Sequence, residues 1–263
     1  MESVLITGAY GGMGRSTVKL FREQGFRVFA LDKKVGEAED NIIPIEADIT
    51  SENSVQKAFA TVKEYTDSLY AVIHFAGIYM LDSLLEMSDE AFRRIFDVNV
   101  RGVFLINKVF LPLLKCGSKI LITTSELAPL DPLPFTGIYA VTKSALDKYA
   151  YSLKMELQLI GINVSVLRAG AVKTGMLGAS TAALNDFCNK TRLYRCNADR
   201  FKKIVDSVEA RNISPDTIAH KTLKIIKKRN PAFAYSINRN ILLVLLNLLP
   251  KPIQLRIIKM ILK

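Results

Sequence analysis

Ser3-Val-Leu-Ile-Thr7-Gly8-Ala9-Tyr10-Gly11-Gly12-Met13-Gly14 is a short apolar run that ends in a glycine turn, and Arg15-Ser-Thr-Val-Lys-Leu-Phe-Arg22 follows with helical periodicity. Strand, glycine turn and helix in that order make a phosphate cradle. A side chain in the turn would hold a pyrophosphate off the backbone, and N–H groups at a helix start meet its charge. The spacing is Gly-x-x-x-Gly-x-Gly rather than the commoner Gly-x-Gly-x-x-Gly. A glycine cluster alone is often only a turn; at the first strand–helix junction of an alternating chain it points to a dinucleotide.

Outward from this stretch, strand-like and helix-like runs alternate. Arg27–Asp32, Ile42–Asp48, Tyr70–Gly77, Lys119–Ser125, Asn163–Arg168 and Ala232–Ile237 read as strands. Residues 51–68, 88–114, 139–160 and 216–228 read as helices. The alternation predicts an α/β fold: a doubly wound parallel sheet with helices on both faces, one domain over residues 1–237. Residues 175–212 hold helical fragments and no strand where such sheets carry a loop over the ligand, which makes them a candidate substrate lid. Met176, Leu177, Leu184, Phe187 and Tyr194 there suit an apolar substrate.

Candidate chemistry sits at the strand ends. Asp32 can accept hydrogen bonds from ribose hydroxyls and would repel a 2′-phosphate, favouring NAD over NADP. Lys33, Lys34 and Arg15 lie near enough in sequence to neutralise part of such a phosphate. Asp48 either reaches an adenine amino group or begins a helix turn. Ala76 and Gly77 are small residues at a strand exit, where a ligand crosses the sheet. Asn99, followed three residues later by Gly102, breaks local helix rules, which marks either a site or a satisfied buried amide.

Tyr139 and Lys143 share a helix face at i, i+4. A nearby ammonium is expected to lower the phenol's pKa toward the range of proton transfer. Of nine tyrosines, only Tyr139 has lysine at i+4, and it follows a strand that ends in the Ser125 hydroxyl.

Net charge is +11, but residues 1–185 carry 19 basic and 20 acidic residues while 186–263 carry 17 and 5, so the parts hold −1 and +12. The basic residues are interleaved with Leu and Ile rather than stacking aromatics, which argues against nucleic acid. Cys116, Cys188 and Cys196 make no C-x-x-C pair and no metal cluster with His74 or His220. The first strand begins within three residues of Met1, leaving no room for a secretory signal, so the expected compartment is the cytoplasm.

The tail, residues 238–263, contains Ile241–Leu249 and a second helical piece after Pro250 and Pro252. Nine residues make about 13 Å of helix, short of the roughly 30 Å of a bilayer core. The tail is expected to pack on the domain or on a second subunit, or to lie peripherally on a membrane, since Ile253, Ile257, Met260 and Ile261 share a face flanked by Arg256, Lys259 and Lys263.

Together, Thr7-Gly8-x-x-x-Gly12-x-Gly14, Asp32, Asp48, Asn99, Ser125, Tyr139-x-x-x-Lys143 and Gly170-Ala-Val172-x-Thr174 resemble the short-chain dehydrogenase/reductase family over residues 1–237. The resemblance implies a seven-stranded Rossmann sheet, a homodimer or homotetramer, and hydride transfer between nicotinamide and an alcohol or ketone. It implies Tyr139 as general acid/base, Ser125 on the substrate oxygen, and Lys143 lowering the tyrosine pKa and holding the nicotinamide ribose. Asn99 would position a proton-relay water, and Val172 and Thr174 would hold the carboxamide. It also places Gly8, Tyr10, Gly12, Met13, Gly14, Ile49, Ala76 and Gly77 around the cofactor. The chain departs from the family at His74-Phe75-Ala76-Gly77, where Asn-Asn-Ala-Gly is usual, and at Ala169-Gly170, where Pro-Gly is usual. The apolar lid and Leu-rich tail are similar to members acting on retinol or hydroxysteroids, so a small lipophilic alcohol or ketone is expected. A 3-oxoacyl reductase using basic residues 190–203 is the enzymatic alternative, and a non-catalytic cofactor-binding protein the other.

Overall fold

The computed structural model describes residues 1–209 and 211–263, with the side chains of residues 177–179 and 207–209 outside the description. Seven strands form one sheet: β1 (Ser3–Thr7), β2 (Arg27–Asp32), β3 (Ile42–Glu46), β4 (Leu69–His74), β5 (Leu114–Thr123), β6 (Asn163–Ala169) and β7 (Ala234–Ile237). Their order is β3-β2-β1-β4-β5-β6-β7, every neighbour parallel. The order reverses between β1 and β4, and the crevice at their carboxyl ends is where such sheets take ligands.

Both faces are covered, so successive strand residues enter different cores. Leu5 packs with α2 (Glu52–Tyr65), α4 (Gly102–Phe110) and α5 (Gly137–Leu157) through Val62, Phe110 and Leu146. Val4 and Ile6 face α1 (Gly12–Glu23) and α8 (Pro215–Ile226) through Phe21, Ile218 and Ile225. Burial on both sides explains why these strands read as continuous apolar runs.

The single helix expected over 88–114 is divided. α3 (Asp89–Phe96) passes into a π-helical turn, Asp97–Arg101, before α4, and a 3-10 turn at Leu111–Leu113 follows. Asn99 lies in the π turn, and such turns recur at functional sites. Strand β5 starts five residues earlier than its apolar run, because Leu114 pairs with Leu69 across a register shift that alternation does not reveal.

Residues 175–212 form α6 (Gly175–Lys190) and α7 (Arg195–Glu209), which pack on a small separate core with Leu81 and Phe135. Phe135 holds a left-handed backbone (φ 64°) just before α5. Its ring touches Phe187, Tyr194 and Phe201 at 4.6, 5.0 and 5.1 Å, contacts that offset the strain. The tail forms α9 (Ile241–Leu248) and α10 (Lys251–Leu262). Among the described residues no helix is long and apolar enough to cross a membrane.

Candidate active site

Two contiguous cavities lie along the carboxyl edge of the sheet. The first, about 910 Å³, runs over the glycine turn and the ends of β2 and β3. The second, about 210 Å³, contains Ser125, Tyr139 and Lys143. Met13, Phe75, Gly77, Tyr79, Thr174 and Met176 line both.

The glycines of the first cavity are demanded by backbone proximity. A Cβ on Gly14 would stand 2.0 Å from the Gly8 carbonyl oxygen, and one on Gly8, whose φ is +67°, would stand 2.5 Å from the Ala76 nitrogen. A Cβ on Gly12 would meet the Thr174 side chain at 2.6 Å, so Thr174 closes over the turn from β6. Helix α1 opens with no side-chain cap on its first N–H groups. An uncapped helix start behind a side-chain-free floor fits a pyrophosphate.

Asp32 lies at the end of β2 and accepts from the Tyr10 and Lys33 N–H groups at 2.9 and 2.8 Å. Tyr10 thus meets the site through its backbone; its ring faces Gly36 and does not line either cavity. Asp48 and Ile49 border the cleft. Asp48 takes the Thr50 N–H and hydroxyl at 2.9 and 2.7 Å and pairs with Lys33 at 2.8 Å. Burial raises its pKa, but these partners win and leave it lowered. The turn-starting reading of Asp48 is therefore the one visible, and Lys33 is already committed to a carboxylate.

Asn99 lies under the cavities, fully buried. Its Oδ1 accepts from the Ile78 N–H at 2.8 Å, while Nδ2 donates to the Ile78 carbonyl at 3.0 Å and the Thr142 hydroxyl at 3.2 Å. The amide is a clamp on the strand that leaves β4. It does the steadying that His74-Phe75 cannot, with help from the Phe75 N–H on the Thr7 carbonyl at 3.0 Å. His74 points toward α4, where Nε2 meets Asn107 Oδ1 at 2.9 Å, and burial pushes its pKa down to about 4.

Ser125 lies two residues past β5, and Tyr139 and Lys143 lie on α5. The Tyr139 hydroxyl hydrogen-bonds Ser125. Lys143 Nζ donates to the Thr123 carbonyl at 3.3 Å and lies 5.7 Å from the Tyr139 ring centroid. Arg168 of β6 binds Asp147 of α5 with two hydrogen bonds of 3.0 and 2.7 Å, and the Thr124 hydroxyl donates to the same carboxylate. That bridge fixes α5 against the strand end that carries Ser125.

The expected direction of the tyrosine shift is reversed. Burial pushes the Tyr139 phenol above its ordinary range, with the Tyr79 phenol reinforcing it and the Ser125 hydrogen bond opposing. Lys143 does not reverse this, because its own burial pulls its pKa down to about 8. Burial shifts both groups toward their neutral forms, but a lysine with a pKa of about 8 still carries its proton at neutral pH.

The lid residues also differ from expectation. Leu184 and Phe187 are buried in the small core of α6 and α7, and Tyr194 packs against Phe135. Met176 alone of the expected set lines the cavities, and the Leu177 side chain lies outside the described residues. The apolar walls of the second cavity are instead Leu127, Leu133, Phe201, Ile204, Val205 and Leu243. Sequence reasoning missed these, and it missed Tyr79, whose ring lies 4.8 Å from that of Tyr139. Tyr79 follows Gly77 by two residues, and that proximity was the only signal. Val172 borders the second cavity and bridges to Ile213. Gly170 is required because a Cβ there would stand 1.9 Å from the Asn238 carbonyl oxygen. Among the described residues no group of His, Cys, Asp and Glu is arranged to hold a metal ion.

The family model for short chain dehydrogenases matches residues 2–185. Mouse estradiol 17-beta-dehydrogenase 2 is 32% identical over 192 residues, 68% of this chain and half of that protein. The 3-ketodihydrosphingosine reductase of Bacteroides thetaiotaomicron is 24% identical over 233 residues, 88% of this chain and 86% of that one. A solved short chain dehydrogenase family protein from Francisella tularensis superposes with a TM-score of 0.75 at 20% identity, covering 90% of this chain and 97% of its own.

Proposed function

The chain belongs to the short-chain dehydrogenase family, and from that premise we propose that it is an NAD-dependent oxidoreductase interconverting a lipophilic secondary alcohol and its ketone. The observation that carries this reading is that Ser125 and Tyr139 meet in the second cavity, which shares Gly77 and Tyr79 with the glycine-turn cleft, with Lys143 on the same helix as Tyr139. Bound nicotinamide would supply or accept the hydride. Gly8, Gly12, Met13 and Gly14 would hold its pyrophosphate, Asp32 its adenosine ribose, Ile49 and Asp48 would flank the adenine, and Ala76, Gly77 and Thr174 would line the nicotinamide half.

A phenol kept protonated by burial donates a hydrogen bond to a carbonyl and then its proton to the alkoxide that forms. Ser125 holds the same oxygen. Lys143, with a pKa of about 8, exchanges protons readily at neutral pH and so restores the tyrosine. Asp32 favours NAD, since Lys33 is paired with Asp48 rather than open to a 2′-phosphate. The apolar walls favour a lipophilic substrate, and the two relatives are named for an estradiol and a ketodihydrosphingosine, both long apolar frameworks. Exposed Phe104, Val141 and Met155 on α4 and α5 suit a homo-oligomer through those helices.

The test is nicotinamide absorbance with NAD and NADP against a panel of hydroxysteroids, long-chain ketones and 3-oxoacyl thioesters. Tyr139→Phe is expected to lower kcat by about 10³-fold, within the range for losing a general acid, while cofactor binding persists. Turnover of only the thioesters would select the 3-oxoacyl reading. Cofactor binding without turnover on the whole panel would defeat the enzyme reading.

A further inference from the structure

The tail helices contrast with α2. α2 buries Val55, Ala58 and Val62 and exposes its charged residues, as a helix on a water-facing domain must. α9 buries no residue, and α10 buries only Gln254. Ile241, Leu248 and Met260 are 71, 75 and 78% exposed, and Leu242, Leu245 and Leu255 are all more than half exposed.

Polar groups of these helices face the domain instead. The Asn240 N–H donates to the Glu126 carboxylate at 2.5 Å, and Asn247 Oδ1 accepts from the Asp131 N–H at 2.7 Å. Lys251 pairs with Asp131. Asn197 of α7 donates to the Leu262 carbonyl at 2.7 Å. The helices are therefore pinned along their length with Leu242, Leu245, Leu248 and Leu255 outward, while Leu262 packs on the small core of α6 and α7. Leu243, on the inward side of α9, is a wall of the second cavity.

We propose that α9 and α10 form a docking surface for an anionic lipid bilayer. The occupant follows from charge. Residues 239–263 carry Arg239, Lys251, Arg256, Lys259 and Lys263 and no acid. A second copy meeting this face across a two-fold axis would bring Arg256, Lys259 and Lys263 against the same three, since Lys251 is paired with Asp131 and Arg239 lies by Glu126, whereas lipid phosphates neutralise them while the acyl boundary takes the leucines. Docked this way, the substrate cavity lies directly behind the lipid-facing helix; that consequence rests on the lipophilic-substrate reading, while the docking itself does not.

The test is co-sedimentation of the full chain with vesicles of phosphatidylcholine alone and of phosphatidylcholine mixed with phosphatidylglycerol. Binding to the anionic vesicles is expected to be about tenfold stronger and to weaken with added salt. Leu245→Glu with Leu248→Glu should abolish it, with the circular dichroism and NAD binding unchanged, and Arg256→Gln with Lys259→Gln should remove the preference for anionic lipid. Tyr139→Phe should sediment like the wild type, which separates failure of docking from failure of the catalytic reading. A chain that stays in the supernatant with both vesicle types at low salt overturns the proposal. So does a dimer, seen by sedimentation equilibrium, that Leu245→Glu dissociates in a chain that binds no vesicles.

Discussion

The cleft over the glycine turn and the pocket behind α9 meet at Gly77, yet they are made of different material. The cleft is floored by backbone at the glycine turn, and its dimensions there follow from how closely Gly8, Gly14 and Ala76 approach one another. The pocket is walled by large apolar side chains from Leu127 to Leu243, contributed by two loops, α7 and α9. A wall of backbone accepts one residue type at each critical position. A wall of side chains accepts any apolar residue of about the right volume.

Three perturbations sharpen that contrast, the largest acting at the end of β4. His74 is held neutral, its pKa near 4 against 6.5 in a free chain. The unfolded chain therefore binds an extra proton between these values. Stability from this residue is complete above pH 6.5 and falls as pH drops to 4, by about 3 kcal/mol in all. His74→Asn keeps a partner for Asn107 without the titration, so its unfolding midpoint should change far less over that interval; an unchanged acid slope would assign the loss to other groups. Next, Gly14→Ala forces a methyl against the Gly8 carbonyl, an overpacking that costs about 1–3 kcal/mol, and calorimetry should show NAD affinity weakened by roughly ten- to a hundredfold. The smallest effect belongs to the pocket. Leu133→Ala removes about 1 kcal/mol of apolar contact, raising KM for a lipophilic substrate several-fold with kcat intact. A fall in kcat instead would show that Leu133 supports the reacting groups.

The sheet was legible because strands buried on both faces must be apolar throughout, and β1 and β2 were read to the residue. The glycine turn, Asp32, Ser125, Tyr139 and Lys143 were legible for a related reason: each is demanded by type at a fixed offset from a strand end or along one helix face. The helix over 88–114 read as continuous because the π turn inserts a residue without a helix breaker, and the backbone bond from the Gly102 N–H to the Asp97 carbonyl is what reveals it.

The sequence by itself determined the architecture and the glycine turn at the first strand–helix junction, and it singled out Ser125, Tyr139 and Lys143 as candidates, since these follow from local periodicity and from residue types that backbone geometry or chemistry restricts. Only the tertiary structure decided the net sign of the Tyr139 shift, because burial depends on neighbours such as Tyr79 that the spacing to Lys143 does not contain. It alone distributed the apolar residues of 175–263 between a small core, a pocket wall and an outward face. Leu184, Leu243 and Leu248 are the same residue in similar helical contexts, and what separates them is which long-range partner, if any, packs against each.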